Sequence, residues 1–473
     1  SLLLLVSLSV VVVAAPLRSR PSMAASPFLP SSASFLVVVI LLLVSIFASL
    51  TGAQQRPKAL VIPVRKDAAT LQYVTTVDQR TPLVPVKLVV DLGGRYMWVD
   101  CDDPAYVSST YAPARCRSAR CSLAGGTACG TCSSTPRPGC NNDTCHVFPG
   151  NPFKNLFTVG EVASDALALR STAGDGAGRS DRQAVSTVPQ FLFSCAPTFL
   201  LDGLAAGAKG MAGLGRARVA LPSQLAAAFS THRKLGLCLS SSTETDGLVF
   251  FGDGLDAFLP NVGGAGSLTY TPLLTNPVSD VVGTAQGEPS REYFVGVTSV
   301  KVDEKVVPLN TTLLSIGARD GVGGTKISTV HPYTVLETSI YRAVAEAFTV
   351  EAAGRGIAKV SPAVAPFGAC FDGKTMSFGR EGAEVPTVDL VFQSQSVYWR
   401  MLGANTMIRA RGDDDDVWCL AFVDGGETPR TSIVVGGYQL EDNLLQFDLA
   451  TSSLGFTSTL LQRRTRCDTF NFA

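Results

Sequence analysis

One aspartate stands where chemistry is expected, at the end of the apolar run Val89-Val90-Asp91-Leu92-Gly93-Gly94. A strand that ends in a carboxylate and two glycines presents that carboxylate on a tight turn, within reach of backbone N–H groups. Such a group can transfer protons, but acid–base hydrolysis needs a partner of matched ionisation. A weak long-period duplication shows what stands in the corresponding place. Asp91 is followed 119 residues later by Gly210-Met211-Ala212-Gly213-Leu214-Gly215. The run Gly323-Gly324-Thr325-Lys326-Ile327-Ser328-Thr329 is followed 108 residues after Ser328 by Gly436-Gly437. The second copy therefore carries Ser328, a hydroxyl that does not ionise near neutral pH. His331 is a further candidate base, although a loop histidine beside Pro332 is expected to be exposed.

Other chemistries fit less well. Gly210–Gly215 lacks the glycine order and strand–helix setting of a dinucleotide loop. Cys129-Gly130-Thr131-Cys132 has one nearby histidine, His146, and no second Cys-x-x-Cys pair, so disulfides are expected there and no metal. The acidic run Asp413–Asp416 lacks the spacing of a calcium loop and reads as solvated surface. No nucleophile elbow is evident and no cofactor is implied. Lysine plus arginine equals aspartate plus glutamate, 39 each, which argues against a nucleic-acid partner.

The elements that must position Asp91 and Ser328 read as short strands. Leu71, Tyr73, Thr75 and Val77 alternate, as do Val86, Leu88 and Val90; further runs are Phe191–Phe193, Leu248–Phe251, Tyr293–Val300, Val388–Phe392 and Ile433–Val435. Two helical patterns stand out: one opening at Pro222, and one from Ser339 to Glu351 with Ile340, Val344, Ala347 and Phe348 on a face. Segments 171–183 and 279–290 read as exposed loops. The chain is mainly β, and its 473 residues suit two lobes of about 200 residues each.

The N-terminus carries two apolar runs, Leu2–Ala15 and Phe35–Phe47, the second shorter than the ~20 residues of a membrane helix. The expectation is a leader over residues 1–53, with translation starting at Met23, cleavage near Ala53 and no stable membrane anchor; a membrane-anchored form is the alternative. All twelve cysteines follow it, which fits export to an oxidising compartment. Seven lie between Cys101 and Cys145, so at least one must pair outside the cluster, with Cys195 the nearest candidate. Cys238, Cys370, Cys419 and Cys467 suffice for two more bridges, and Cys238–Cys467 would tie down the tail. Asn142 and Asn310 head glycosylation sequons.

Val89–Gly94 followed by Met97-Trp98-Val99 resembles the first active-site loop of the pepsin family. Phe191–Cys195, Gly210–Leu225, Phe367–Asp372 and Ile433–Phe456 agree, so the likeness runs from about Leu71 to the C-terminus. More narrowly, Ser328-Thr329-Val330-His331-Pro332-Tyr333, Ala365–Cys370 and Arg464-Thr465-Arg466-Cys467 with Phe470-Asn471-Phe472 resemble a plant branch. That branch holds TAXI-type xylanase inhibitors, basic globulins and extracellular dermal glycoproteins, and the chain is most similar to the dermal-glycoprotein (xyloglucanase-inhibitor) subgroup.

The resemblance implies a bilobal pepsin-like fold, with an N-terminal lobe over 54–255 and a C-terminal lobe over 256–473. It also implies a lost catalytic device. Two carboxylates should share a proton, yet the second position is Ser328. Leu92 has lost the hydroxyl that Thr329 retains, Gly94 replaces the usual serine, and Phe148–Pro152 offers no flap tyrosine. A secreted, non-proteolytic inhibitor of microbial cell-wall glycoside hydrolases in plant defence is therefore expected, acting in the apoplast or cell wall. The alternatives are an active or residual aspartic endopeptidase, and a wall-binding or signalling glycoprotein. By resemblance the inhibitory arginines would be Arg380 and Arg464, suited to gripping the two carboxylates of a glycosidase.

Overall fold

The computed structural model describes residue 57 and residues 59–171, 184–253, 268–279, 288–410 and 416–469. The leader with Met23 and Ala53, the 255/256 lobe boundary, residues 172–183 and 280–287 of the two loops, Asp413–Asp415 and Phe470–Phe472 lie outside the described residues. Strands dominate, and the architecture is pepsin-like. Val84–Asp91 lies between antiparallel Tyr73–Gln79 and parallel Gly210–Gly213. Val89 is as buried as Val86, Leu88 and Val90, because both faces of this strand are covered. Leu71 falls outside its expected strand: the strand begins at Tyr73, and Leu71 turns with φ of 59°. Tyr293–Val300 divides into Tyr293–Val295 and Ser299–Val302, which join different sheets on either side of Gly296.

The duplication in the sequence is a repeated frame. Asp91 sits opposite Gly213 in a parallel register, and Thr325–Ile327 runs parallel to Ile433–Val435. Strands remote in sequence close the body around these frames. Ala59–Lys66 pairs with Gly247–Gly252, and Lys234–Cys238 pairs with Leu444–Asp448. The helix Leu221–Phe229 carries Pro222 in its first turn and buries Leu221 and Leu225. The helix Thr338–Gly354 starts on Glu337, whose carboxylate accepts from the N–H groups of Ser339 and Ile340. It buries Ile340, Val344 and Phe348, while Ala347 is half-buried. Among the described residues no helix is long and apolar enough to cross a membrane.

Six disulfides use every cysteine: Cys101–Cys195, Cys116–Cys129, Cys121–Cys145, Cys132–Cys140, Cys238–Cys467 and Cys370–Cys419. The odd member of the cluster is thus Cys101, paired with Cys195. Cys238–Cys467 spans 229 residues, a closure worth roughly 5 kcal/mol if unfolded-chain entropy governs it.

Candidate functional site

Both turns open into one cleft of about 260 Å³, lined among others by Asp91, Gly93, Gly94, Ser328 and His331. On the first turn, Gly93 N donates to Asp91 Oδ1 at 3.0 Å, while Gly94 N and Leu214 N donate to the Asp91 carbonyl. Burial still outweighs this support. Loss of solvent, aided by the nearby Glu292 carboxylate, lifts Asp91 to about 6, against the pull of Lys326 and of the Gly93 and Gly94 N–H groups. Gly94 has a packing role. A Cβ there would fall 2.7 Å from Gly213 Cα and 2.9 Å from Asp91 Oδ2.

On the second turn, Ser328 Oγ accepts from Val330 N at 3.2 Å and lies 3.2 Å from His331 Nδ1. Among the described residues no hydrogen bond joins Ser328 to Asp91. His331 is not the exposed loop residue expected from Pro332. It is half-buried in the cleft wall, where desolvation and Lys326 lower it to about 4 and keep the ring neutral. Thr329 Oγ1 donates to Val90 O at 2.9 Å and accepts from Leu92 N at 3.0 Å. Leu92 is fully buried in the apolar core, so the return bond does not exist.

Above the turns, Gly150–Asn151 pairs with Leu156–Phe157 in a small hairpin held by Trp98 Nε1, which donates to Gly150 O at 3.0 Å. The hairpin contributes Phe157 to the cleft and contains no tyrosine. Three charged residues of the cleft, Arg95, Glu292 and Lys326, escape sequence reasoning. Lys326 and Glu292 form an ion pair at 2.8 Å, both mostly buried. Strand alternation offered a signal for Lys326, since it shares a face with Ser328 two residues on. Glu292 arrives only through tertiary pairing, because Tyr293–Val295 lies against Thr325–Ile327.

Arg380 and Arg464 are both exposed. Arg380 tips the hairpin Phe378–Gly379/Gly382–Ala383, and Arg464 follows a short 3-10 turn with φ of 56°. The fold brings these two loops together. Gly379, Arg380, Leu461 and Arg466 line a depression of about 220 Å³ over Glu441 and Asp442, so Arg466, two residues past Arg464, faces it. This depression shares no lining residue with the Asp91 cleft. Beneath it, Lys66 Nζ and Tyr73 Oη each lie 2.7 Å from Glu441 Oε1, and Ser241 Oγ donates to Asp442 at 2.7 Å. Asn142 and Asn310 are exposed, and Asn310 Oδ1 accepts from Thr312 N and Oγ1.

Comparison with known proteins agrees with this geometry. The family description "Xylanase inhibitor N-terminal" matches residues 73–253, and "Xylanase inhibitor C-terminal" matches residues 292–458. A protein named "Probable aspartic proteinase GIP2" from Nicotiana benthamiana is 56% identical over 441 residues, covering 92% of this chain and 97% of its own. "Gamma conglutin 1" from Prunus dulcis is 43% identical over 437 residues, 92% and 94% of the two chains. Among solved structures, "Crystal structure of edgp" superposes with a TM-score of 0.84 at 59% identity, covering 89% of this chain and 99% of that one. Basic 7S globulin from soybean gives 0.74 at 34% identity, with 88% and 100% covered.

Proposed function

This chain belongs to the xylanase-inhibitor family with the pepsin-like fold, and from that premise we propose a secreted, catalytically impaired aspartic-protease homologue that inhibits microbial cell-wall glycoside hydrolases. Its place would be the plant apoplast or cell wall, with a xyloglucanase or xylanase as target. One observation carries the loss of proteolysis: the residue facing the Asp91 turn is Ser328, whose hydroxyl is engaged by Val330 N and His331. Asp91 therefore meets no carboxyl on the opposite turn with which to share a proton. The other carboxylate of the cleft, Glu292, is held in its ion pair with Lys326, which leaves no paired acid and base to activate water.

Inhibition is supported by a different part of the surface. Glycoside hydrolases act through two carboxylates flanking a cleft, and a guanidinium can bind a carboxylate through two parallel hydrogen bonds. Arg380 and Arg464 stand exposed on loops that meet at one depression, lined by Arg380 from the first and by Leu461 and Arg466 from the second. The name of the tobacco relative favours a second reading, aspartic proteolysis, and the retained Asp91 is its only support in the site.

A single assay separates the two. Purified full-length secreted protein is titrated against fungal xyloglucan-specific endoglucanases and xylanases, alongside an acid-protease assay with pepstatin. Stoichiometric inhibition is expected, weakened at least about tenfold by Arg380→Ala with Arg464→Ala at unchanged thermal stability. Absence of inhibition across the panel would sink the proposal. Pepstatin-sensitive cleavage that vanishes in Asp91→Asn would replace it with proteolysis.

A further inference from the structure

A third concave surface, sharing no lining residue with the two regions above, carries positive charge and has no acidic residue in its lining. It is a groove of about 830 Å³, in the size range of a binding site, between the short helix Ala119–Ala124, the helix Leu221–Phe229 and the strand Ala184–Ala196. Arg120, Arg218 and Arg233 line it, and none of its lining residues is acidic. Their partners leave the charge intact. Arg120 donates to Ser164 Oγ at 3.1 Å and Gln190 Oε1 at 2.5 Å, and Arg233 donates to the Leu449 carbonyl at 3.0 Å. Exposed Arg218 makes no hydrogen bond or ion pair among the described residues. Ser223 also lines the groove, is 6% exposed, and its hydroxyl has no partner there either. A buried hydroxyl left unpaired, beside three unbalanced guanidinium groups, describes a site made for an acceptor-rich ligand.

The strand at the back of the groove defines the shape of that ligand. Ala184–Ala196 pairs with Gly160–Ser171 along most of its length, but with Trp98–Asp100 only at Ser194, Cys195 and Ala196. Upstream of Ser194 its other edge meets no strand among the described residues. Instead, the Gln224 side chain occupies it, accepting from Leu192 N and donating to Leu192 O, both at 2.8 Å. A side-chain amide thus bonds this edge as a neighbouring strand's peptide would. Val188 and Leu192 beside it, with Leu123 opposite, give the groove an apolar wall. We propose that this groove binds an extended acidic peptide segment, its backbone continuing along the strand edge from Gln224 and its carboxylates meeting Arg120, Arg218 and Arg233.

The test uses the intact protein and a fluorescent peptide alternating glutamate with valine or alanine, read by anisotropy at low salt. Binding is expected, with at least a tenfold loss in Arg218→Glu and a smaller, several-fold loss in Ser223→Ala. Both variants should keep the parent's circular dichroism and melting temperature, since Arg218 is exposed and no bond is removed at Ser223. Backbone N-methylation at alternate residues is expected to weaken binding at least tenfold; equal binding would remove the strand-edge part of the proposal. A lysine-for-glutamate peptide that binds as well, or full retention in Arg218→Glu, overturns it. Displacement by sulfate at concentrations as low as the peptide's own would reduce the groove to a small-anion site.

Discussion

The two turns that meet in the cleft share a backbone plan and differ in what they hold. Each ends a strand that runs beside a parallel partner: Asp91 opposite Gly213, and the Thr325–Ile327 strand, which leads into Ser328, alongside Ile433–Val435, which leads into Gly436. In the first, a carboxylate survives on backbone donors, yet its neighbour Leu92 has become core. In the second, Ser328 offers a hydroxyl and no carboxylate, and its neighbour Thr329 makes both bonds across to the first turn. Under the proposed function the scaffold is kept without the paired-carboxylate chemistry, because the two depend on different atoms. Close backbone approach holds the turns, whereas proton sharing between two carboxyl groups needs a side chain that this packing does not require.

If that separation is right, the largest effects lie in the frame. A Cβ on Gly213 would meet Tyr96 O at 2.3 Å, and one on Gly436 would meet Tyr333 C at 2.2 Å, backbone atoms in both cases. Gly213→Ala and Gly436→Ala are each expected to destabilise by about 3 kcal/mol or more, since overpacking against backbone forces the strands apart. Denaturant unfolding, or loss of secreted yield, measures this. A tolerated alanine at one site alone would show that only one of the two frames is still structural.

That frame was legible in the sequence, and the reason is physical. Strand, small-residue turn and returning glycine strand are local patterns, and Leu88–Gly94 with Gly210–Gly215 states them openly. The helices at Pro222 and Ser339 were legible too, because their apolar repeats are long enough to show a period. Six-residue Ala119–Ala124 is too short for one, and is held by Ser118, Gly125 and the Cys121–Cys145 bridge. Glu292 could not be assigned to the cleft, since its position follows from tertiary pairing. His331 was legible as a candidate base but not as a half-buried one, since its contact with Ser328 Oγ in the cleft wall is tertiary. The same holds for the joining of the Arg380 and Arg464 loops, 84 residues apart in the chain.

A middle-sized effect tests the asymmetry between the neighbours of the two central residues. Thr329→Val removes both bonds and leaves Leu92 N–H and Val90 C=O buried without a partner, an expected loss of about 2 kcal/mol. The restoring change, Leu92→Thr, is expected to lose a similar amount, because a fully buried leucine gives up more in apolar contact than a regained hydrogen bond returns. Chemical denaturation of both variants decides it. Stabilisation by Leu92→Thr would mean that the lost bond was still wanted and that the core had not closed over its place.

The smallest effect is in pH, and here the two turns oppose each other. Asp91 is raised to about 6 in the folded protein, above its value near 3.8 when unfolded. Between those values the folded state binds the extra proton, so this term lowers stability as pH climbs from about 4 to 6. His331 is lowered to about 4, from 6.5 when unfolded. Over nearly the same window the unfolded state binds the extra proton, so this term raises stability with pH. The contributions cancel in large part. Asp91→Asn is expected to leave the histidine term and steepen the rise of stability between pH 4 and 6.5, while His331→Gln leaves the aspartate term and tilts the difference the other way. Each departure from the parent should reach about 1–2 kcal/mol across the window, reduced from the full linkage value because both groups keep some contact with solvent. The double variant should run nearly parallel to the parent. Melting temperatures of the four proteins from pH 4 to 7 measure the slopes, and tilts of the same sign in both single variants would show that the cleft does not hold these two groups as a compensating pair.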